Sequence, residues 1–151
     1  MKTIIRKAKK TDLEFVHKLV VELAIYEKEP DAVTATLDDY EQAFSEGIFE
    51  VLIAERDNQI VGIALYYMTY STWKGKMLYL EDFVVQEKYR HLGIGQSLFD
   101  AFKKEGKKKG AVLLKWQVLD WNTVAIRFYE KNNATLETDW INCKYYLSDN
   151  K

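Results

Sequence analysis

Glu81 and Asp82 stand side by side inside Met77-Leu-Tyr-Leu-Glu-Asp-Phe-Val-Val85, an otherwise apolar run. Burying an unpaired carboxylate in such a run costs on the order of several kcal/mol. Neighbouring residues of a regular strand point to opposite faces, so at least one of the pair meets water, a cation or a bulge that re-aims it. The pair reads as the edge of an active site, where a carboxylate attracts a cation or takes its proton, with a pair of structural hydrogen-bond acceptors as the alternative. A few residues later comes Arg90-His-Leu-Gly93-Ile-Gly95, between a strand ending near Val85 and a helix beginning near Ile94. Amides at a helix start form a positive end, and glycines remove side chains where a phosphate approaches, so this turn is suited to an anion. The turn lacks both the G-x-G-x-x-G fingerprint and the Walker lysine pattern, which argues against a dinucleotide or nucleoside triphosphate.

These residues need a frame. Thr3 to Lys7 reads as a strand. Thr11 and Glu14 have the spacing of a capping box, followed by Leu13, Val16, Leu19, Val20, Leu23 and Ala24 at helical period, stopping near Pro30. Thr36 with Asp39 opens a shorter helix that shows Leu37, Tyr40 and Phe44 on one face and ends at Gly47. Phe49 to Glu55, Ile60 to Tyr70 and Lys76 to Val85 are β-branched and aromatic runs, the first two joined by Asp57-Asn58, and they predict a meander. Ile94, Leu98, Ala101 and Phe102 restore the helical period up to Gly110. Ala111 to Leu119 predicts a buried strand, Asn122 caps a helix through Tyr129 closed by Asn132-Asn133, and Trp140 to Leu147 predicts a last strand. The order βααβββαβαβ predicts an α/β (α+β) fold with a mixed central sheet, helices on both faces, and a right-handed crossover after Lys76.

Composition narrows the class. The 151 residues suit a single domain spanning 1–151, and 48% hydrophobic residues with one proline exclude a disordered chain. Twenty-two Lys and Arg against twenty-three Asp and Glu leave a net charge of −1, so no basic field points to nucleic acid or a membrane surface. The lysines between Lys103 and Lys109 read as a solvated helix end favoured by the helix dipole. His17 and His91 are too far apart in the chain to suggest a metal centre, and Cys143, the only cysteine, excludes an internal disulfide. No apolar stretch is long enough for a signal peptide or membrane span, which predicts a cytoplasmic protein. Trp116 and Gln117 fall on the strand beside the carboxylate run and are candidates to line a pocket.

Arg90, Gly93 and Gly95 fill an R/Q-x-x-G-x-G/A loop, and with it the chain resembles the GCN5-related N-acetyltransferases, which use acetyl-CoA. Tyr66-Tyr-Met-Thr-Tyr-Ser-Thr-Trp-Lys-Gly75, Leu78-Tyr-Leu-Glu-Asp-Phe83, Leu119-Asp-Trp-Asn122 and Phe128-Tyr-Glu-Lys131 resemble the spermidine/spermine (diamine) N-acetyltransferase subfamily over nearly the whole chain. Ser71-Thr72 stands where the spermidine branch has Asp-Pro, and the motifs are more similar to the branch that acetylates thialysine.

The resemblance implies an acyl-CoA N-acyltransferase fold and a site of defined parts. Backbone groups of Phe83, Val84 and Val85 pair with the pantetheine arm. Arg90 opens the cofactor-binding loop, in which His91, Leu92, Gly93, Ile94, Gly95 and Gln96 cradle the pyrophosphate, and Asn122 and Ala125 touch the lower cofactor. Tyr129 protonates the departing thiolate, and Tyr26, Glu27, Glu81 and Asp82 face the amine, with Glu81 its general base and a strand amide near Val84 meeting the developing oxyanion. The expected activity is acetyl transfer to a primary amine of a small cationic metabolite, without a metal, by a homodimer. Acetylation of a protein lysine or N-terminus, and a non-catalytic CoA sensor, are the alternatives.

Overall fold

Thr3–Lys7 (β1), Glu50–Arg56 (β2), Gln59–Ser71 (β3), Gly75–Val85 (β4) and Leu113–Trp116 (β5) form one sheet in chain order. The computed structural model describes residues 2–148 and divides into two units, Met1–Trp116 and Gln117–Lys151. Three antiparallel pairings are followed by a parallel one between β4 and β5, as a strand–helix–strand step requires. Asp57 and Asn58 turn β2 into β3 with φ of 54° and 61°, the left-handed pair of a two-residue hairpin.

Helices α1 (Leu13–Tyr26) and α2 (Leu37–Ser45) lie on one face of this sheet. Leu13, Val16, Leu19 and Val20 pack with Val51, Ile53, Ile63, Leu65 and Val84, and Leu37, Tyr40 and Phe44 close the margin. Each side chain of this size contributes roughly 1.5–3 kcal/mol when fully buried, so this layer anchors α1 to the sheet. The other face takes α3 (Ile94–Lys108): Phe102 meets Tyr66 with ring centres 5.5 Å apart, and a Cβ on Gly62 would come within 3.1 Å of Leu98 Cδ1. A Cβ on Gly106 would stand 2.7 Å from Leu114 Cδ2, so close approach of α3 to β5 accounts for a glycine inside a helix.

The second unit contains α4 (Thr123–Lys131), capped by Asn122, whose Oδ1 accepts the Ala125 amide at 3.2 Å. Tyr129 is buried, and Asn133 leaves the helix with φ of 64°.

Three local expectations are corrected. The first helix is not capped by a Thr11–Glu14 box. A 3-10 turn over Lys10–Asp12 precedes it, and Asp12 accepts the Lys9 amide at 2.7 Å while Arg6 grips both its oxygens at 2.8 and 3.0 Å. That bidentate pair outcompetes a neutral hydroxyl cap. The strand predicted over Ala111–Leu119 shortens to Leu113–Trp116, because only Met77–Leu80 of β4 pairs with it. Trp140 to Leu147 forms no strand: a strand exists by pairing, the described residues of its own unit offer no other strand, and Trp140, Ile141, Tyr145 and Leu147 are exposed.

Candidate active site

The two carboxylates owe their placement to a missed beat in the β3–β4 ladder. Leu65 pairs with Asp82 and the next residue, Tyr66, pairs with Leu80, which leaves Glu81 as the extra residue of a β-bulge. Leu65 belongs to the α1 layer and Tyr66 to the α3 layer. Leu80 therefore faces α3, Glu81 and Asp82 both face α1 and α2, and alternation resumes with Phe83. In an uninterrupted strand Asp82 would point into the apolar layer beneath α3.

On that face the Tyr67 hydroxyl donates to Glu81 Oε1 at 2.5 Å, and its ring stacks on Tyr79 with centres 5.6 Å apart and 25° between planes. Glu81 is exposed and Asp82 half-buried. Burial, reinforced by the charges of Glu81 and Glu27, pushes the Asp82 carboxyl up to about 7. Burial also raises Glu27, which ends α1, and it raises the Tyr40 phenol to about 12 with help from Asp82 and Glu81. Burial first, and then the bond to Glu81, hold the Tyr67 phenol far above its ordinary range. The charges of Glu81 and Glu27 thus both bear on Asp82, and a cation arriving there relieves that repulsion. Among the described residues no three His, Cys, Asp or Glu side chains are grouped to hold a metal ion.

The anion turn lies at the end of the same strand. His91 and Gly93 take left-handed backbone, with φ of 66° and 79°, and Gly93 is the N-cap of α3. A first-turn acid is present in α1 (Glu14) and in α2 (Asp38, Asp39), and absent from α3, so no side chain of its own first turn neutralises that positive end. Gly95 lies above Phe83 and Val85, whose side-chain atoms are 3.9 Å from where its Cβ would sit. Ile94 is buried as the helix's first anchor, Leu92 is exposed, and Gln96 donates to Asp100 at 2.9 Å. Arg90 Nε donates to the Val85 carbonyl at 3.0 Å, and its guanidinium lies 5.3 Å from the centre of the Tyr26 ring. The β4–β5 ladder ends at Leu80, so the sheet opens alongside 81–85, beside the turn. A loop at a helix start with no acid in its first turn, next to an opened strand, fits a long molecule with a diphosphate at one end, as coenzyme A has.

Of the residues expected on the amine side, Glu27, Glu81 and Asp82 come together. Trp116 instead stands edge-on to Phe99 of α3, with centres 5.4 Å apart, in the opposite layer from the carboxylates. Gln117 is exposed and donates to Asn142 at 2.6 Å, and it belongs with Asn122, Ala125 and Tyr129 to the second unit. Tyr40, Tyr67 and Tyr79 escaped the sequence reading. Tyr67 and Tyr79 become neighbours only through strand register, and Tyr40 carried the pattern of a packing residue.

A sheet opened beside a helix-start anion turn, with carboxylates on a bulge next to it, defines an acyl-CoA-dependent transferase, and the chain belongs to the acetyltransferase (GNAT) family, whose model matches residues 13–134. It is 38% identical over 141 residues to a thialysine N-epsilon-acetyltransferase of Bos taurus, covering 87% of this chain and 83% of that one. It is 34% identical over 139 residues to a spermidine/spermine N(1)-acetyltransferase-like protein 1 of Homo sapiens, covering 86% of this chain and 20% of that longer protein. An aminoglycoside acetyltransferase from an uncultured soil metagenomic sample has the same fold, with a TM-score of 0.81 over 97% of each chain at 20% identity.

Proposed function

We propose that this chain transfers the acetyl group of acetyl-CoA to a primary amine of a small cationic metabolite, a diamine or a thialysine-like amino acid. The bulge that turns Glu81 and Asp82 to one face, within the electrostatic reach of Glu27, carries this reading. The similarity to thialysine and spermidine/spermine-type acetyltransferases supports the same acceptor class.

An alkylamine is almost wholly protonated at neutral pH, and only its free form is a nucleophile. Glu27 and Asp82 attract the ammonium ion, and Glu81, directly or through a water, takes its proton. The turn from Arg90 to Gln96 holds the diphosphate, and 83–85 hold the pantetheine arm along the opened strand. Bound there, acetyl-CoA supplies an acyl group activated as a thioester. Asn122 and Ala125 support the lower part of the carrier, and Tyr129 keeps a phenolic proton for the sulfur that leaves. The chain serves as one acetyltransferase domain, residues 1–151, paired as a homodimer in the cytoplasm, where the exposed thiol of Cys143 stays reduced.

The test is thiol release from acetyl-CoA with diamines, polyamines, thialysine and lysine as acceptors. Acceptor-dependent release is expected, strongest with a dication or basic amino acid. Thiol release that no amine accelerates overturns the reading, and a monomeric mass at micromolar concentration overturns the homodimer.

A further inference from the structure

Glu81 has three rotatable side-chain bonds and an exposed position, so nothing in β4 alone fixes the direction of its carboxylate. The strand beside it does. Tyr67 sits directly opposite Tyr79 in the β3–β4 register, and Glu81, two residues past Tyr79 and displaced by the bulge, is its diagonal neighbour. Stacking on Tyr79 holds the Tyr67 ring, and a phenol has only two side-chain torsions to restrain, so its hydroxyl is a nearly fixed donor. That donor occupies Oε1 of Glu81 and leaves Oε2 for a proton to be taken.

We infer that Tyr67 is a positioning residue for Glu81: its hydroxyl aims the carboxylate at the amine, and Tyr79 serves as the backstop that keeps the phenol in line. The inference rests on the proposed function, since it assigns Glu81 the proton-accepting role. Tyr67 never exchanges a proton with the acceptor. It determines how often Glu81 points in the productive direction, which affects turnover and leaves the cofactor turn alone.

Tyr67→Phe keeps the ring and its stacking partner and removes only the hydroxyl. It is to be measured alone, in a Glu81→Gln background, and beside the wild type, at neutral pH where the amine must first lose its proton. Alone, it should lower kcat about tenfold, with the KM for acetyl-CoA within about twofold and the melting temperature nearly unchanged. In the Glu81→Gln background the same change should alter kcat by less than about twofold, because the group it aims has gone. Equal losses in both backgrounds, or no loss in the first, overturn the inference while wild-type turnover keeps the functional reading intact. A wild type that no amine accelerates overturns the functional reading and this inference with it.

Discussion

The guanidinium of Arg90 covers the ring of Tyr26 at 5.3 Å while its Nε holds the Val85 carbonyl at 3.0 Å. One side chain thus joins the last residue of α1 to the end of β4, and the anion turn to the carboxylate side of the sheet. Exposed cation–π contacts are worth about 0.5–1 kcal/mol, so Tyr26→Leu should raise the KM for acetyl-CoA about two- to fivefold with little change in melting temperature. Steady-state kinetics with saturating amine checks this.

Gly93 and Gly95 separate conformation from approach. A Cβ on Gly93 meets nothing within 4 Å, so only its φ of 79° resists substitution. Gly93→Ala should cost about 1–2 kcal/mol and lower the melting temperature by roughly 3–8 °C. Gly95 has ordinary helical backbone and ordinary contacts, so Gly95→Ala should keep its melting temperature and lose acetyl-CoA affinity. Scanning calorimetry and titration calorimetry distinguish the two.

Asp82 gives stability an unusual slope. An unfolded aspartate ionises near pH 3.9, and in the fold Asp82 does so at about 7. Between these values the folded chain holds one more proton than the unfolded chain, so this group's contribution falls as pH rises and is fully lost above about 7. Asp12, which Arg6 holds below the usual carboxylate range, acts in the opposite sense, with stability lost as pH falls. Asp82→Asn should therefore be more stable than wild type at pH 8, by roughly 2–4 kcal/mol, and should lose most of that advantage at pH 4. Urea unfolding at both pH values measures it.

Tyr129, buried in α4, is the residue assigned to protonate the leaving sulfur. Tyr129→Phe should lower kcat by about ten- to a thousandfold with the amine KM little changed. Turnover equal to wild type in a thiol-release assay would return it to a packing role.

Local chemistry was legible where a side chain serves its own backbone. Thr36 and Asp39 exchange hydrogen bonds at 2.8 and 3.2 Å, Asn122 caps α4, and Asp57-Asn58 makes the hairpin, all as their residue types indicated. The carboxylate pair left water, a cation or a bulge as the ways to accommodate it, and the register of β3 and β4 shows the bulge. Contacts made across strands were hidden. Tyr67 meets Glu81 through register alone, the face on which Trp116 meets Phe99 was not readable from its strand, and the contact of Asp12 with Arg6 on β1, which displaces the expected Thr11–Glu14 box, is equally non-local. The aromatic segment near the carboxyl end has the residue types of a strand, and composition says nothing of whether a partner exists.

The surplus residue in β4 also changes what a deletion would do. Up to Leu80 the even-numbered side chains face α3, and from Phe83 onward the odd-numbered ones do. Excising one carboxylate would restore even spacing and leave each apolar side chain of the strand in the layer it now occupies. The parity of the strand is thus indifferent to the second acid, and the packing of β4 against its two helical layers does not call for it.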